Sequence, residues 1–367
     1  MEQLSLFEDK KETSNDWKWT IASDYPQKNG LKVFSCFACG GGSTMGYKLC
    51  GCEVLGCNEI DPRMNEVYVA NHNPKYNFLE DIRDFNKRED LPEELYNLDI
   101  LDGSPPCSTF SMAGQREDAW GVEKKFREGQ KMQTLDDLSF IFIETVAKLK
   151  PKVVIMENVE GLMLGNAWKY VQEIYKRFEQ IGYKVKHWLL KGETMGVPQT
   201  RHRVFFVATR LNFDLDVVNL YFNYEPITYG MIKEGKLKEM GKDTKFYNIA
   251  IQANDKDKNI AETRKRLGQK GSAFQTLYVR DNMVCPTQRA KPDLIDINDK
   301  NNIGYVSRET LRNMQTFPQD YKFIPDTYSN IGYICGMSVP PLMIKRLVTR
   351  LIESGLFDYK LKGENKC

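Results

Sequence analysis

The chain has 367 residues, 41% of them hydrophobic and 11% aromatic, which is long for one core and leads us to expect two domains. A net charge of +2 and no apolar run near bilayer length point away from a membrane protein. The opening MEQLSLFEDKKETSND is polar and mixed in charge, with no basic-then-apolar leader, so a cytoplasmic protein is expected.

Residues 1–29 show no periodicity and read as an N-terminal extension. From Leu31 short β-rich runs alternate with helical stretches. Residues 31–37 predict a strand, followed by a glycine loop and a helix start. Residues 53–60 and 99–102 predict further strands. Residues 134–149 carry apolar side chains at helical spacing until Pro151 stops them. A strand over 153–156, a helix over 168–181 and strands over 183–190 and 204–208 complete the pattern. Such alternation predicts an α/β domain over 30–211, a doubly wound, mostly parallel sheet with helices on both faces. After Thr209 it fails. Residues 212–306 are richer in Lys, Asn and Asp and read as an inserted, smaller domain. Helical stretches at 307–315 and 341–355 suggest that 307–367 returns to the first domain.

Charge is unevenly distributed. Between Thr228 and Lys291 fourteen Lys and Arg face seven Asp and Glu, a local excess of +7 that leaves −5 for the remainder. A basic segment suits a polyanion, although a solvated Lys-rich surface has the same composition. Of nine cysteines, Cys36, Cys39, Cys50, Cys52 and Cys57 cluster in sequence, but the chain has only three histidines. We read the cysteines as reduced thiols and expect no metal.

The residues that suggest chemistry lie at predicted strand ends. FACGGGSTMG (37–46) follows the first strand, where glycines permit a sharp turn and close approach of a ligand; a plain tight turn would look the same. Glu59 ends the second strand, placed to accept hydrogen bonds from ribose hydroxyls. Asp81, in LEDIRDF, sits at another strand end. Together these describe a nucleoside pocket. Pro105-Pro106 ends the run LDGSPPC and holds Cys107 beside that pocket; a thiol there is a strong nucleophile. Glu157, in IMENVEG, could stay protonated or bond a substrate nitrogen, or could serve only a helix dipole. Gln199, Arg201 and Arg203 alternate into a strand, which predicts one shared polar face.

These signals, in this order, resemble the DNA cytosine-5 methyltransferases. The resemblance runs from about Val33 to about Pro341 and rests on F-x-x-x-G-G (Phe37 to Gly42), Glu59, Asp81-Ile82, P-P-C-x-x-F-S (Pro105 to Ser111), E-N-V (Glu157 to Val159), Q-x-R-x-R (Gln199 to Arg203), R-E-x-x-R-x-x-Q-x-F-P (Arg308 to Pro318) and a late Ser-Val-Pro-Pro. It implies the S-adenosylmethionine-dependent methyltransferase fold and that cofactor. It implies further that Cys107 attacks carbon 6 of a flipped-out cytosine and that Glu157 bonds ring nitrogen 3 and the exocyclic amine. Arg203 would hold the base carbonyl, with Arg201 supporting the site. On the cofactor side, Phe37 would pack near the adenine, Glu59 bind the ribose and Asp81 the adenine amine. Gly41, Gly42, Ile82, Pro105 and Ser338 complete the implied cofactor set. Two positions depart from the family pattern: Cys39 stands at the usual first glycine of the loop, and Met337 at the usual Asn of the late motif.

The resemblance makes 212–306 a target-recognition domain acting on double-stranded DNA, its cations on phosphates and Arg280, Gln288 and Arg289 as candidate base readers. The loop over 109–133 is expected to close over the flipped base. The protein is expected to be monomeric. A companion restriction endonuclease is left open, being a matter of genomic neighbours. Three rivals remain at this level: the same chemistry on RNA, a catalytically silent DNA-binding relative and, distantly, a nicotinamide dehydrogenase.

Overall fold

The computed structural model describes residues 15–106, 137–164 and 167–359. The chain divides into two compact units, one comprising Asp24–Lys191, His202–Tyr221 and Met343–Cys367, the other Met1–Ser23, Gly192–Arg201 and Phe222–Leu342.

The first unit is built on β1 (Lys32–Cys36), α1 (Gly42–Leu49), β2 (Glu53–Glu59), α2 (Pro62–His72), β3 (Tyr76–Leu79), α3 (Ile82–Lys87), β4 (Ile100–Gly103), α4 (Leu138–Leu149), β5 (Val153–Val159), α5 (Trp168–Gln180) and β6 (Lys184–Lys191). After β7 (Gln199–Thr200), which belongs to the other unit, β8 (His202–Thr209) rejoins the sheet. The order is β3-β2-β1-β4-β5-β8-β6. β1 to β5 pair in parallel, and β8 runs antiparallel to both neighbours. The expected doubly wound, mostly parallel sheet is therefore present. Its winding reverses between β1 and β4, the crevice where such sheets bind ligands.

The central strands are apolar because both faces are covered. Phe34, Leu101, Val154 and Met156 meet Ile82 and Phe85 of α3, Phe142 and Val146 of α4, and Ile174 and Phe178 of α5. The β4 end passes close to α4: a Cβ on Gly103 would lie 2.4 Å from the Phe142 ring. Helix starts follow local chemistry. Asp61 caps α2, accepting from the Arg63 amide, with Pro62 at the first helical position. Asp81 caps α3 in the same way. α4 stops at Lys150, in a left-handed conformation just before Pro151.

The second unit is less regular. Its strands are β9 (Lys238–Glu239), β10 (Leu277–Val279), β11 (Cys285–Pro286), β12 (Leu294–Asp296) and β13 (Gly304–Tyr305); its helices are α6 (Tyr229–Ile232), α7 (Lys245–Ala250), α8 (Ile260–Arg266), α9 (Arg308–Met314) and α10 (Tyr328–Met337). A four-stranded sheet, β10-β12-β13-β9, covers a small core of Ile249, Ile260, Tyr278 and Ile295. β11 pairs with β7. The compact division differs from the boundaries expected from sequence. Residues 307–342 pack with 222–306, and only from Met343, within the last helix α11 (Pro341–Glu353), does the chain rejoin the first unit. Side chains of α9 explain this: Asn313 donates to the Ile232 carbonyl. The expected extension is also partly built in, with Trp19 buried and its indole donating to the Thr316 carbonyl. No described helix is long and apolar enough to cross a membrane.

Candidate active site

At the carboxyl end of β1 the backbone turns through three left-handed residues, Phe37 (φ 55°), Cys39 (φ 47°) and Gly41 (φ 80°), before α1 begins at Gly42. Gly41 has a packing reason too, since a Cβ there would lie 2.1 Å from His72 Nε2. Burial holds His72 neutral, its pKa lowered to about 3. Cys39 pays the strain of a non-glycine residue at positive φ. Its amide donates to Glu59 Oε2 at 2.7 Å, and its Sγ rests 3.6 Å from Met64 Sδ.

Glu59 ends β2 with its carboxylate oriented by the backbone. Oε2 takes the Cys39 amide, and Oε1 takes the Ile60 and Asp61 amides, each at 2.8 Å. Burial raises its pKa, and the three amides oppose that rise. Asp81 follows β3, held by the Arg83 amide at 2.8 Å and by the Arg83 guanidinium at 3.3 Å. Ile82 sends its side chain into the core, so only its backbone faces other partners. The Phe37 ring stands 6.3 Å from that of Phe142. An aromatic ring, an oriented carboxylate at the second strand and another at the third suit a nucleoside cofactor such as S-adenosylmethionine: a flat base and a vicinal diol.

On the neighbouring strands β5 and β8 a second pair of the candidate residues meets. Glu157 and Arg203, from antiparallel β5 and β8, meet at 2.6 Å between Oε1 and Nε, with side chains only 10% and 15% exposed. A pair this short and shielded is strongly charge-assisted. Arg203 also donates to the His202 carbonyl. Next to Glu157, Asn158 reaches the Pro105 carbonyl at 3.5 Å, tying β5 to the Pro105-Pro106 turn. Cys107 and the loop over 109–133 lie outside the described residues.

Gln199, Arg201 and Arg203 do not share one face, contrary to the sequence expectation. The Gln199 amide bonds the Val197 carbonyl and the Arg201 amide bonds the Gln199 carbonyl, so the backbone turns tightly at each step instead of alternating as a strand. Arg203 serves Glu157, whereas Gln199 and Arg201 serve the second unit. Arg201 is buried and donates to the Gln288 and Gly336 carbonyls. Gln199 bonds the Met314 carbonyl, Gln315 Oε1 and the Gln288 amide. Ser338 joins the same network, its carbonyl accepting from Gln315 and its hydroxyl donating to the Ile334 carbonyl.

Of the three suggested base readers, Arg280 and Arg289 donate to backbone carbonyls within the unit, whereas the Gln288 side-chain amide is buried with no hydrogen-bond partner among the described residues. Gln288 is 1% exposed. Arg280 donates to the Asn254 and Asp257 carbonyls, and Arg289 to that of Gln275. Exposed cations in this unit include Lys242, Lys245, Lys256, Lys258, Lys265 and Lys270. Sequence reasoning passed over Asp102 and Asn158; the visible signal was a carboxylate inside the apolar run ILDG and an amide beside Glu157. Among the described residues no three His, Cys, Asp or Glu side chains converge as a metal site.

Comparison with known proteins gives a consistent picture. A family model described as C-5 cytosine-specific DNA methylase matches residues 31–353. The Type II methyltransferase M.FnuDI of Fusobacterium nucleatum is 29% identical, over 88% of this chain and 96% of its own. The Type II methyltransferase M1.HphI of Haemophilus parahaemolyticus is 31% identical, over 88% and 87%. Among solved structures, Spodoptera frugiperda DNMT2 superposes with a TM-score of 0.61 at 15% identity, covering 88% of this chain and 100% of that one, a likeness of fold.

Proposed function

The chain belongs to the C-5 cytosine-specific DNA methylase family, and from that premise we propose that Cys107, Glu157 and Arg203 form its reacting centre. The protein is a DNA (cytosine-5-)-methyltransferase. The cofactor supplies an electrophilic methyl group. Cytosine carbon 5 is a poor nucleophile, so the base needs activation before it can accept that group. In our reading the Cys107 thiolate adds to carbon 6, and Glu157 bonds ring nitrogen 3 and the exocyclic amine as charge develops there. Arg203 holds the base carbonyl and keeps Glu157 in place. Loss of the carbon-5 proton then expels the thiolate. The target base leaves the stack for this, which costs about a few kcal/mol.

The observation that carries the reading is the buried Glu157–Arg203 pair, joined through Asn158 to the turn that immediately precedes Cys107. For the cofactor we propose S-adenosylmethionine held by Glu59 at the ribose, Asp81 and the Ile82 backbone at the adenine edge and Phe37 against the ring. Gly41, Gly42 and Pro105 would complete that site. Arg201 braces the Gln288 and Gly336 carbonyls of its own unit. Residues 222–306 would recognise double-stranded DNA, with the exposed lysines on phosphates. We propose a monomer acting in the cytoplasm; its pairing with a cognate restriction endonuclease is a question for its genomic neighbourhood.

Covalent trapping on 5-fluorocytosine DNA tests the centre. Wild type forms a stable adduct, and Cys107→Ser forms none while still binding DNA. An adduct with Cys107→Ser removes the proposed nucleophile. Methyl label appearing in tRNA and not in DNA would overturn the substrate.

A further inference from the structure

Asp102 lies in β4, five residues before Cys107 and buried to 1% exposure. It is paired in register with Ser35 of β1. Its Oδ2 accepts from Ser35 Oγ at 2.6 Å and its Oδ1 from Tyr47 Oη at 3.0 Å. The Ser43 hydroxyl, in the first turn of α1, adds a smaller favourable influence on the ionised carboxylate. One side chain thus receives the strand before the glycine loop, the helix after it, and carries the strand that runs into Pro105-Pro106. Ordinary packing does not ask for this, because an apolar residue would fill the position without burying a carboxylate.

Resting on the cofactor reading above, we propose that Asp102 is a positioning residue that fixes the glycine loop against the strand leading to the nucleophile. Its ionised form is the one that holds the cofactor-binding arrangement. The carboxylate then accepts from the Ser35 and Tyr47 hydroxyls, one on each oxygen, whereas the protonated acid must give one acceptor position to its own proton, loosening α1. Burial raises the Asp102 pKa to about 7, and the hydroxyls of Ser35, Tyr47 and Ser43 restrain the rise. The titratable groups around it are Cys36 of β1, Tyr47 of α1, Tyr68 of α2 and Glu157 of β5, the last backed by Arg203 of β8. Cys36, Tyr47 and Tyr68 are all held protonated by burial. Asp102 is therefore the group among these whose raised pKa falls near neutrality.

The test is binding of the demethylated cofactor, S-adenosylhomocysteine, by calorimetry between pH 6 and pH 8. Wild type tightens about five- to tenfold as the pH rises. Asp102→Asn stays at the weak, low-pH affinity throughout. Tyr47→Phe, which removes one donor to the ionised form, shifts the midpoint upward and covers the case in which Asp102→Asn does not fold. In ligand-free wild type the Asp102 carboxyl, followed by 13C NMR, titrates near pH 7 and moves lower when ligand is added, as reciprocity requires. A wild-type affinity independent of pH overturns the proposal. So does Asp102→Asn that is uniformly weaker yet keeps the wild-type pH profile, the mark of a purely structural role. Absence of S-adenosylhomocysteine binding at every pH overturns the cofactor reading itself.

Discussion

Each of the two units is stabilised internally by different means. In the sheet unit, strands of four to eight residues pair in long ladders and bury apolar runs, so polar side chains are released for chemistry. Glu59, Glu157 and Arg203 stand at strand ends whose positions the ladder sets. In the second unit the strands are two or three residues long. Buried side chains there do the work a ladder does elsewhere: Gln199, Arg201, Asn313 and Gln315 all bond backbone carbonyls. Residue type alone therefore does not reveal role. Arg201 and Arg203 are two positions apart, and one braces a fold while the other pairs with the Glu157 carboxylate.

Separating those two arginines is the sharpest way to break the comparison. Glu157→Gln lowers kcat by roughly 10²–10⁴-fold, the usual scale for a lost acid or base, and also lowers the melting temperature because Arg203 loses its charged partner. Arg201→Ala shows the reverse emphasis. It leaves the Gln288 and Gly336 carbonyls without their donor, at about 1–3 kcal/mol each, and weakens DNA binding while S-adenosylhomocysteine binding persists. Calorimetry alongside steady-state kinetics reads both. An Arg201→Ala protein of wild-type stability with a collapsed kcat would merge the two roles.

A smaller effect comes from His72 beneath the glycine loop. It is neutral in the fold, with a pKa of about 3, against about 6.5 in an unfolded chain. The folded state thus binds fewer protons between those values, so stability is full above about pH 6.5 and falls as the pH drops toward 3. Denaturant melts at pH 7 and pH 5 check this, and His72→Asn should lose less on acidification than wild type. The smallest effect is expected at Cys39. Replacement by Gly relieves a left-handed conformation worth about 1–2 kcal/mol but gives up the contact with Met64. A gain of up to about 1 kcal/mol in urea melts is expected, and a loss would show that the sulfur contact outweighs the strain.

Legibility followed the same division. Several strands of the sheet unit and its helices α4 and α5 were readable because each is a run of one period, apolar for buried parallel strands and helical for 134–149 (of which 134–136 lie outside the described residues) and 168–181; α2, the span of β3 and α3, shorter or weakly patterned, went unread. The strand-end acids were readable for the same reason. Gln199, Arg201 and Arg203 were misread as one face because alternation assumes an extended backbone, and here hydrogen bonds two residues apart bend it at each step. Gln288 looked like a reader of bases because amides often are; it is buried, and its backbone amide donates to Gln199, 89 positions away in sequence.

By itself, the sequence determined the periodic elements, the doubly wound sheet and the order of the motifs, since those depend on near neighbours and on hydrophobic spacing. Tertiary structure alone decided that Glu157 meets Arg203, that Arg201 bonds distant carbonyls of its own unit and that Asp102 gathers Ser35 and Tyr47. Hydrogen bonds and ion pairs are short-ranged and directional, so which polar groups meet is settled only when distant segments have packed.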